Sequence, residues 1–461
     1  MIRTLVILGA SGDLTARLLM PAIVRLYEEG QLPDGFRIIG AARNDWDTQK
    51  FRAHLDQKLQ EFLPNAEASS KAVLSATEFH HVDVTRREDI AAALENLKEP
   101  IVAYLALPPP LFAPTIQALA ALPLPAGSKV ILEKPFGESL ASAQKLNRLL
   151  HDSFPEEAVF RLDHFLGKQT VQSLLGLRFA NRVFEPIWNT QHVSRVEIIW
   201  DEVLTASGRA SFYDGAGALR DMIQNHLLQL LALVAMEPLH MLDARTLRDR
   251  KVDVLRAVRK LSPEEVKRRT TRGRYTGGMI NGEKVPGYVE EPGVDAKRQT
   301  ETFAQVELLI DNWRWSGVPF VLRTGKGLGR DRREIAIYFR AVPHLAFGQA
   351  AQPEPNVLRI ELSPDRIVLR VNINECGDLF DLEQIDLDAS LRSGGLTAYG
   401  RLLLDVLNGD PTLSIRDDEA EEAWRIVAPI LAEWSKGSVP LAEYAAGSQG
   451  PISDHPDRTG A

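Results

Sequence analysis

Short apolar runs alternate with amphipathic stretches through the first part of the chain. Thr4–Leu8, Phe36–Ala41, Ile101–Leu105, Lys129–Leu132 and Ala158–Leu162 are brief apolar or β-branched runs. Between them, Leu18–Glu29 and Leu140–His151 place apolar residues roughly every 3.6 positions, the helical period. Strands alternating with helices predict a parallel sheet with helical crossovers. Beyond about Asn181 the rhythm changes. "SRVEIIWDE", "FAQVELLID", "REIAIYFRA", "VLRIELS" and "RIVLRVNI" alternate apolar and polar positions between turns, which predicts a half-covered, mainly antiparallel sheet. Two longer helical patterns, Ala218–Ala235 and Glu419–Trp434, interrupt it. The end, "GSQGPISDHPDRTGA", is polar and rich in Gly and Pro, as a loosely ordered tail is.

Composition narrows the class. The 461 residues are 44% hydrophobic and 25% charged, enough for two or three domains with sizeable cores. A formal net charge of −8 argues against nucleic acid as the main partner, so an anionic substrate needs a local basic cluster. The single cysteine, Cys376, excludes an intrachain disulfide and a Cys-rich metal site, which suits a reducing cytoplasm. The opening apolar run is too short for a signal peptide, and Leu227–Met236 is too short to span a bilayer. The expectation is a cytoplasmic enzyme with no membrane partner and no metal.

"TLVILGASGDLTARLL" puts Gly9 directly after a buried strand and Gly12 three residues on, leading into a helix. Glycines there allow a tight turn and bring a pyrophosphate close to the free N–H groups of the helix. The spacing is G-x-x-G rather than G-x-G-x-x-G, and its place in a strand–helix series carries the dinucleotide reading. At the end of the second strand, "RIIGAARNDW" offers Arg43, whose guanidinium suits the 2′-phosphate of NADP; Asp45 nearby leaves NAD open. "YLALPPPLF" closes the next clear strand with a stiff loop suited to border the nicotinamide. The candidate nucleotide-binding residues are Gly9, Ser11, Gly12, Asp13, Leu14, Arg43, Tyr104, Leu105, Pro108, Glu133 and Lys134.

Two strand ends carry chemistry. "ILEKPFG" presents Glu133 and Lys134, and "FRLDHFLGK" presents Asp163, His164 and Lys168. In the second half, "YDGAGALRDMIQNHLLQLLALVAMEP" is an apolar helix with Asp221, Gln224, Asn225, His226 and Gln229 on its front. At about 100° per residue these span about 200° of arc, and polar groups on a buried helix need partners or a cavity. Oxidising an alcohol needs a base for the hydroxyl proton, and a histidine held by a carboxylate suits neutral pH. His226 with Asp163 would form such a dyad, leaving His164 and Lys168 for an anionic group. These residues by themselves do not separate His226 from His164 as the base.

The segments "GASGDL", "EKPFG", "RLDHFLGK", "LRFANRVFEPIWN", "YDGAGALRDMIQNHLLQLLALVAMEP", "VPGYVEEPGV", "TETFAQVELLIDNWRWSGVPFVLRTGK" and "AYGRLLLDVLNGD" run nearly the whole chain. Through them the sequence resembles the glucose-6-phosphate dehydrogenase family, as a divergent member of bacterial type. The resemblance implies an α/β plus α+β architecture: a Rossmann-type doubly wound domain (1–180), then a larger β+α domain (181–445) and the polar tail (446–461). It implies His226 as general base oriented by Asp163, and His164 and Lys168 on the sugar phosphate. It further implies Lys134, Glu202 and Asp221 on sugar hydroxyls, and Arg43 on the 2′-phosphate of NADP. Lys326 joins them as a candidate substrate residue. The implied product is 6-phosphoglucono-1,5-lactone, in the oxidative pentose phosphate pathway, from a homodimer or homotetramer.

The resemblance departs in three places. Ala16 and Leu18 stand where the family usually has lysines, with Arg17 keeping charge; Phe165 replaces a tyrosine; and the loop after Lys326, "GLGRDRRE", is arginine-rich, with Arg330 or Arg332 in place to substitute for a lysine. Two other readings start from the same residues. One is a related NAD(P)-dependent dehydrogenase acting on another sugar or sugar phosphate, since "EKP" after a strand also marks oxidoreductases of the glucose–fructose type. The other is a non-catalytic sensor of nucleotide or sugar phosphate.

Overall fold

The computed structural model describes residues 1–95, 97–347, 353–376, 381–391 and 394–451. Of the polar tail, residues 452–461 therefore lie outside the described residues. The chain divides into two compact units. The first comprises Met1–Gln169, His240–Asp249 and Gly394–Glu421; the second takes the stretches between these and the C-terminal end.

The first unit is built on six strands, β1 (Thr4–Leu8), β2 (Arg37–Ala42), β3 (Thr77–His81), β4 (Ile101–Leu105), β5 (Lys129–Glu133) and β6 (Val159–Leu162). They lie in the order β3-β2-β1-β4-β5-β6, all parallel. This is the doubly wound dinucleotide order, whose crevice opens at the carboxyl ends of the strands where the winding reverses. β1 and β4 are buried at every residue, which is why they read as unbroken apolar runs. The edge strand β3, "TEFHH", carries Glu78, His80 and His81 and was not predicted; edge strands keep polar residues. The returning segment adds a helix, Ala398–Asn408, capped by Thr397. Its Leu402, Leu403, Val406 and Leu407 share one core with Leu5 and Ile7.

In the second unit, β7 (Val193–Asp201), β8 (Thr270–Thr276), β11 (Phe303–Leu309), β12 (Pro319–Gly325), β13 (Arg332–Phe339), β14 (Val357–Leu362), β15 (Asp365–Asn374), β16 (Leu382–Ser390) and β17 (Leu441–Ala445) form a sheet. Its order is β16-β15-β14-β13-β7-β12-β11-β8-β17, while β9 (Gly278–Ile280) and β10 (Glu283–Val285) pair separately. Pairing is antiparallel except β7 with β12 and β8 with β17, so the sheet is mixed and mainly antiparallel. Parallel neighbours need long crossovers, and helices supply them.

One of those crossovers is the apolar helix. It runs as a π-helical stretch Leu219–Leu227 and an α-helix Leu228–Ala235, and a kink at Gly217 separates it from the helical turns that start at Ala210. The wider π turn replaces the uniform α-helical wheel expected from sequence, and such turns recur at functional sites. Every residue from Met222 to Met236 is buried. Buried helix ends leave carbonyls that need donors. Here Arg178 donates to the carbonyls of Leu233 (3.0 Å) and Met236 (2.8 Å), Trp188 to Val234 (2.8 Å) and Trp315 to Ala235 (2.8 Å). Among the described residues, no helix is long and apolar enough to cross a membrane.

Candidate active site

At the carboxyl end of β1 the chain turns sharply. Gly9 sits at φ +91°, and a Cβ there would lie 2.3 Å from the Ala106 carbonyl oxygen, so only glycine fits between β1 and the β4 loop. Gly12 donates its N–H to the Gly9 carbonyl (3.1 Å), which closes the turn at the start of the helix. Gly12 and Asp13 are exposed and Ser11 and Leu14 partly so, leaving this corner open to an anion at the helix N-terminus. Arg43 is exposed at the end of β2 and helps hold the Asp83 carboxyl below its ordinary value, behind the hydrogen bonds from Thr85. Pro108 is exposed, whereas the side chains of Tyr104 and Leu105 are fully buried within the sheet. The turn and the exposed guanidinium fit a dinucleotide. Arg17, next to the missing lysines, pairs with Asp13 (3.4 Å) in solvent.

The ends of β5 and β6 gather the polar groups of this unit. The Tyr104 hydroxyl donates to Glu133, and burial pushes the Glu133 carboxyl up to about 7 against the opposing pull of that bond and of Lys134. Asp163 is buried and accepts the Phe165 N–H (2.9 Å). The turn then winds tightly, with Leu166, Gly167 and Lys168 donating to the carbonyls of Asp163, His164 and Phe165. This turn sets His164 and Lys168, both partly exposed, beside the buried Phe165 ring, with Lys168 Nζ 5.8 Å from its centroid.

Tyr399, from the returning segment, stacks on His164 with centroids 5.5 Å apart and planes 11° from parallel. Burial and the nearby Glu133 and Asp163 carboxylates raise its hydroxyl pKa. Sequence reading did not single out Tyr399; the quoted segment "AYGRLLLDVLNGD" contains it, but only the fold brings it to the strand ends.

A second cluster forms in the other unit. Lys326, just past β12, donates to Glu202 at the end of β7 (2.6 Å). Their loops interlock, Glu202 donating its N–H to the Gly325 carbonyl and Leu328 to that of Glu202. Trp200 Nε1 donates to Glu202 (3.2 Å), and the Arg333 guanidinium lies over the Trp200 ring, 3.8 Å from the same carboxylate. Arg332 instead pairs with Glu197 and Glu334 on the sheet, so Arg333 is the arginine beside Glu202. Tyr213 is buried with Lys326 Nζ 5.6 Å from its ring centroid; burial, Asp221 and Glu301 push its hydroxyl well above the ordinary value. His226 and Asn225 are buried and Asp221 partly exposed; Asn225 is held by the Arg220 carbonyl (3.0 Å). Tyr213 also escaped the sequence reading.

Among the described residues, a further group of metal-ligand types lies apart from the carboxyl ends of the strands. His151, Glu156 and Asp417 bring donor atoms within 4.8 Å of one another. Arg161 pairs with Glu156 (2.9 Å), and His151 Nε2 lies 2.9 Å from the Asp417 carboxylate.

Sheet order, glycine turn and the carboxylate–imidazole–ammonium group at the strand ends define a nicotinamide-dinucleotide oxidoreductase architecture. Residues 6–173 match the "Glucose-6-phosphate dehydrogenase, NAD binding domain" and residues 175–456 match the "Glucose-6-phosphate dehydrogenase, C-terminal domain". A glucose-6-phosphate 1-dehydrogenase of Treponema pallidum is 42% identical over 97% of this chain and 92% of its own. Among solved structures, a glucose-6-phosphate 1-dehydrogenase from Mycobacterium avium superposes with TM-score 0.86 at 34% identity, covering 98% of this chain and 96% of that one. A glucose-6-phosphate dehydrogenase in complex with its substrate glucose 6-phosphate gives 0.88 at 32% identity, with the same coverage. The chain belongs to the glucose-6-phosphate dehydrogenase family.

Proposed function

We infer that the protein oxidises D-glucose 6-phosphate at C1 to 6-phospho-D-glucono-1,5-lactone, with NADP as hydride acceptor. Family membership over nearly the whole chain carries this reading. His226 takes the proton of the C1 hydroxyl while the hydride leaves the same carbon, and Asp163 holds the imidazole in the accepting tautomer. His164 and Lys168 bind the phosphate, the first stacked on Tyr399 and the second lying over the Phe165 ring. Lys134, Glu202, Asp221 and Lys326 hold hydroxyls around the reacting carbon. The Lys326–Glu202 pair offers a donor and an acceptor from one rigid corner.

The nucleotide is held by the Gly9–Leu14 turn, with Arg43 on its 2′-phosphate; NAD is the weaker alternative. When bound, it supplies the two-electron acceptor. The remaining parts of the reading are a place in the oxidative pentose phosphate pathway, a homodimer or homotetramer, and a cytoplasmic location, consistent with one thiol and no disulfide.

Purified protein given glucose 6-phosphate and NADP should produce the near-ultraviolet absorbance of reduced nicotinamide. His226→Ala should lower kcat about 10²–10⁴-fold, the range for a lost general base. Turnover near the parent rate in that variant would remove His226 from its role. A sugar panel ranked by kcat/KM tests the substrate, and a free sugar that outranked every phosphorylated one would overturn the choice.

A further inference from the structure

The helix carrying Asp221 and His226 is fixed at its C-terminal end by Arg178, Trp188 and Trp315, as described above. Its beginning is held by one residue, Glu301, through both its buried carboxylate and its backbone carbonyl. Glu301, 7% exposed, accepts the Leu219 N–H on Oε1 (3.0 Å), and its backbone carbonyl accepts the Ala218 N–H (3.1 Å). The chain enters this helix through a kink at Gly217, at φ +72°. A Cβ on Gly217 would lie 2.4 Å from Glu301 Oε1 and 2.8 Å from Cδ, so the carboxylate occupies the room that the missing side chain leaves.

Glu301 is itself immobilised from both sides. Ahead of it, Thr300 donates to the Asp214 carbonyl (2.8 Å). The Asp214 carboxylate accepts from the Tyr288 hydroxyl (3.1 Å) and the Asp295 N–H (3.1 Å), and pairs with Arg298 (3.3 Å). Behind it, Thr302 donates its N–H to Gly273 and accepts that of Lys326 (2.9 Å) on its carbonyl. One short segment therefore joins the start of the helix to the loop that presents Lys326. Between the two fixed ends lies the π-helical stretch, Leu219–Leu227, that contains Asp221 and His226. Its wider turns make the direction of those side chains depend on where the first amide is held.

We propose that Glu301 is a positioning residue: by accepting the Leu219 amide proton beside Gly217, it sets the register of the helix and hence the placement of Asp221 and His226. The inference rests on the reading of His226 as base. The bond needs an acceptor rather than a charge, so glutamine can replace glutamate and methionine, of similar size, cannot. Misplacement of a reacting group by about 1 Å can cost about 10²-fold in rate.

Glu301→Gln, Glu301→Met and His226→Asn are compared with the parent for kcat, KM, NADP affinity by fluorescence titration, and amide hydrogen exchange across residues 217–227. Glu301→Met is expected to lose at least about tenfold in kcat, to bind NADP within about twofold of the parent, and to exchange faster at the helix start. Glu301→Gln is expected to stay within about threefold of the parent. Parental kcat in Glu301→Met, or equal losses in both variants, overturns the proposal. If Glu301→Met does not accumulate folded, Gly217→Ala replaces it, since its Cβ displaces the same carboxylate, and parental kcat there overturns the proposal equally. A dead His226→Asn beside a parental Glu301→Met rejects the positioning role alone, whereas an active His226→Asn rejects the base assignment.

Discussion

Glu133→Gln should remove a pH dependence that the parent protein carries in its stability. The Glu133 carboxyl ends β5 under the Tyr104 hydroxyl, and burial is the largest influence on it, lifting its pKa from 4.5 to about 7. A carboxyl whose pKa is raised on folding binds its proton more tightly in the native than in the unfolded chain. Its stabilising effect is therefore complete below pH 4.5 and is lost as pH rises through about 7. At about 1.4 kcal/mol per pH unit, that interval corresponds to about 3 kcal/mol, of which about 2.5 kcal/mol falls between pH 5 and pH 8.

Glutamine keeps the shape and an acceptor for Tyr104 but cannot ionise. Alanine would strand the tyrosine hydroxyl and confuse the comparison. With about 2–4 °C of Tm per kcal/mol for a domain of 150–250 residues, the Tm of Glu133→Gln relative to the parent should climb by about 5–10 °C between pH 5 and pH 8. Thermal melts of both proteins across that range, in one buffer series at constant ionic strength, measure it. A difference that stays flat within about 1 °C would show that the Glu133 carboxyl titrates as an ordinary exposed one, and the reasoning about its burial would fail.

Arg43→Ala should reduce kcat/KM for NADP about 10–100-fold while leaving NAD nearly unchanged, the loss expected for charge-assisted bonds worth about 1.5–3 kcal/mol; an unaltered NADP/NAD ratio in steady-state kinetics would clear Arg43 of any part in cofactor choice. Gly9→Ala should weaken nucleotide binding in a fluorescence titration by at least about tenfold, because its Cβ would meet the Ala106 carbonyl 2.3 Å away at φ +91°. Arg178→Leu should destabilise the second unit by about 2–6 kcal/mol in urea melts, since it strips donors from the buried Leu233 and Met236 carbonyls at about 1–3 kcal/mol each, while Glu185 keeps its pair with Arg314. A loss below about 1 kcal/mol would mean that water replaces those donors.

Legibility followed burial. β1 and β4 were readable to the residue, and β5 and β6 to within one, because strands covered on both faces leave apolar runs with little ambiguity. β3 and β16 were not. "TEFHH" and "LEQIDLDAS" are edge strands with few apolar residues, and Glu78, His80, His81 and all of β16 stay at least partly exposed, so their hydrophobic signal is weak. β12 hid for another reason: it opens on Pro319 and carries Arg323, yet it is a central strand between β7 and β11, where that arginine pairs with Asp201 of β7 (2.9 Å).

The same logic separates the parts of the site. Gly9, Lys134 and Asp163 through Lys168 stand immediately after buried strands, and a polar residue in that position announces itself. Tyr399, Tyr213 and Glu301 do not, because each acts through a segment folded back from elsewhere in the chain. In isolation "TETF" reads as a solvated polar stretch; only the turn at Gly217 and the N–H of Leu219 give its glutamate a task. Arg178, Trp188 and Trp315 lie between these extremes. They fall inside family-like segments and invite a functional reading, yet their polar atoms hold the last carbonyls of one helix. A motif of this family therefore marks two kinds of residue, those suited to touch the substrate and those that keep the helix of His226 in place. The second kind should be tolerant of any substitution that preserves the donor or acceptor, whereas the first should be tolerant of none.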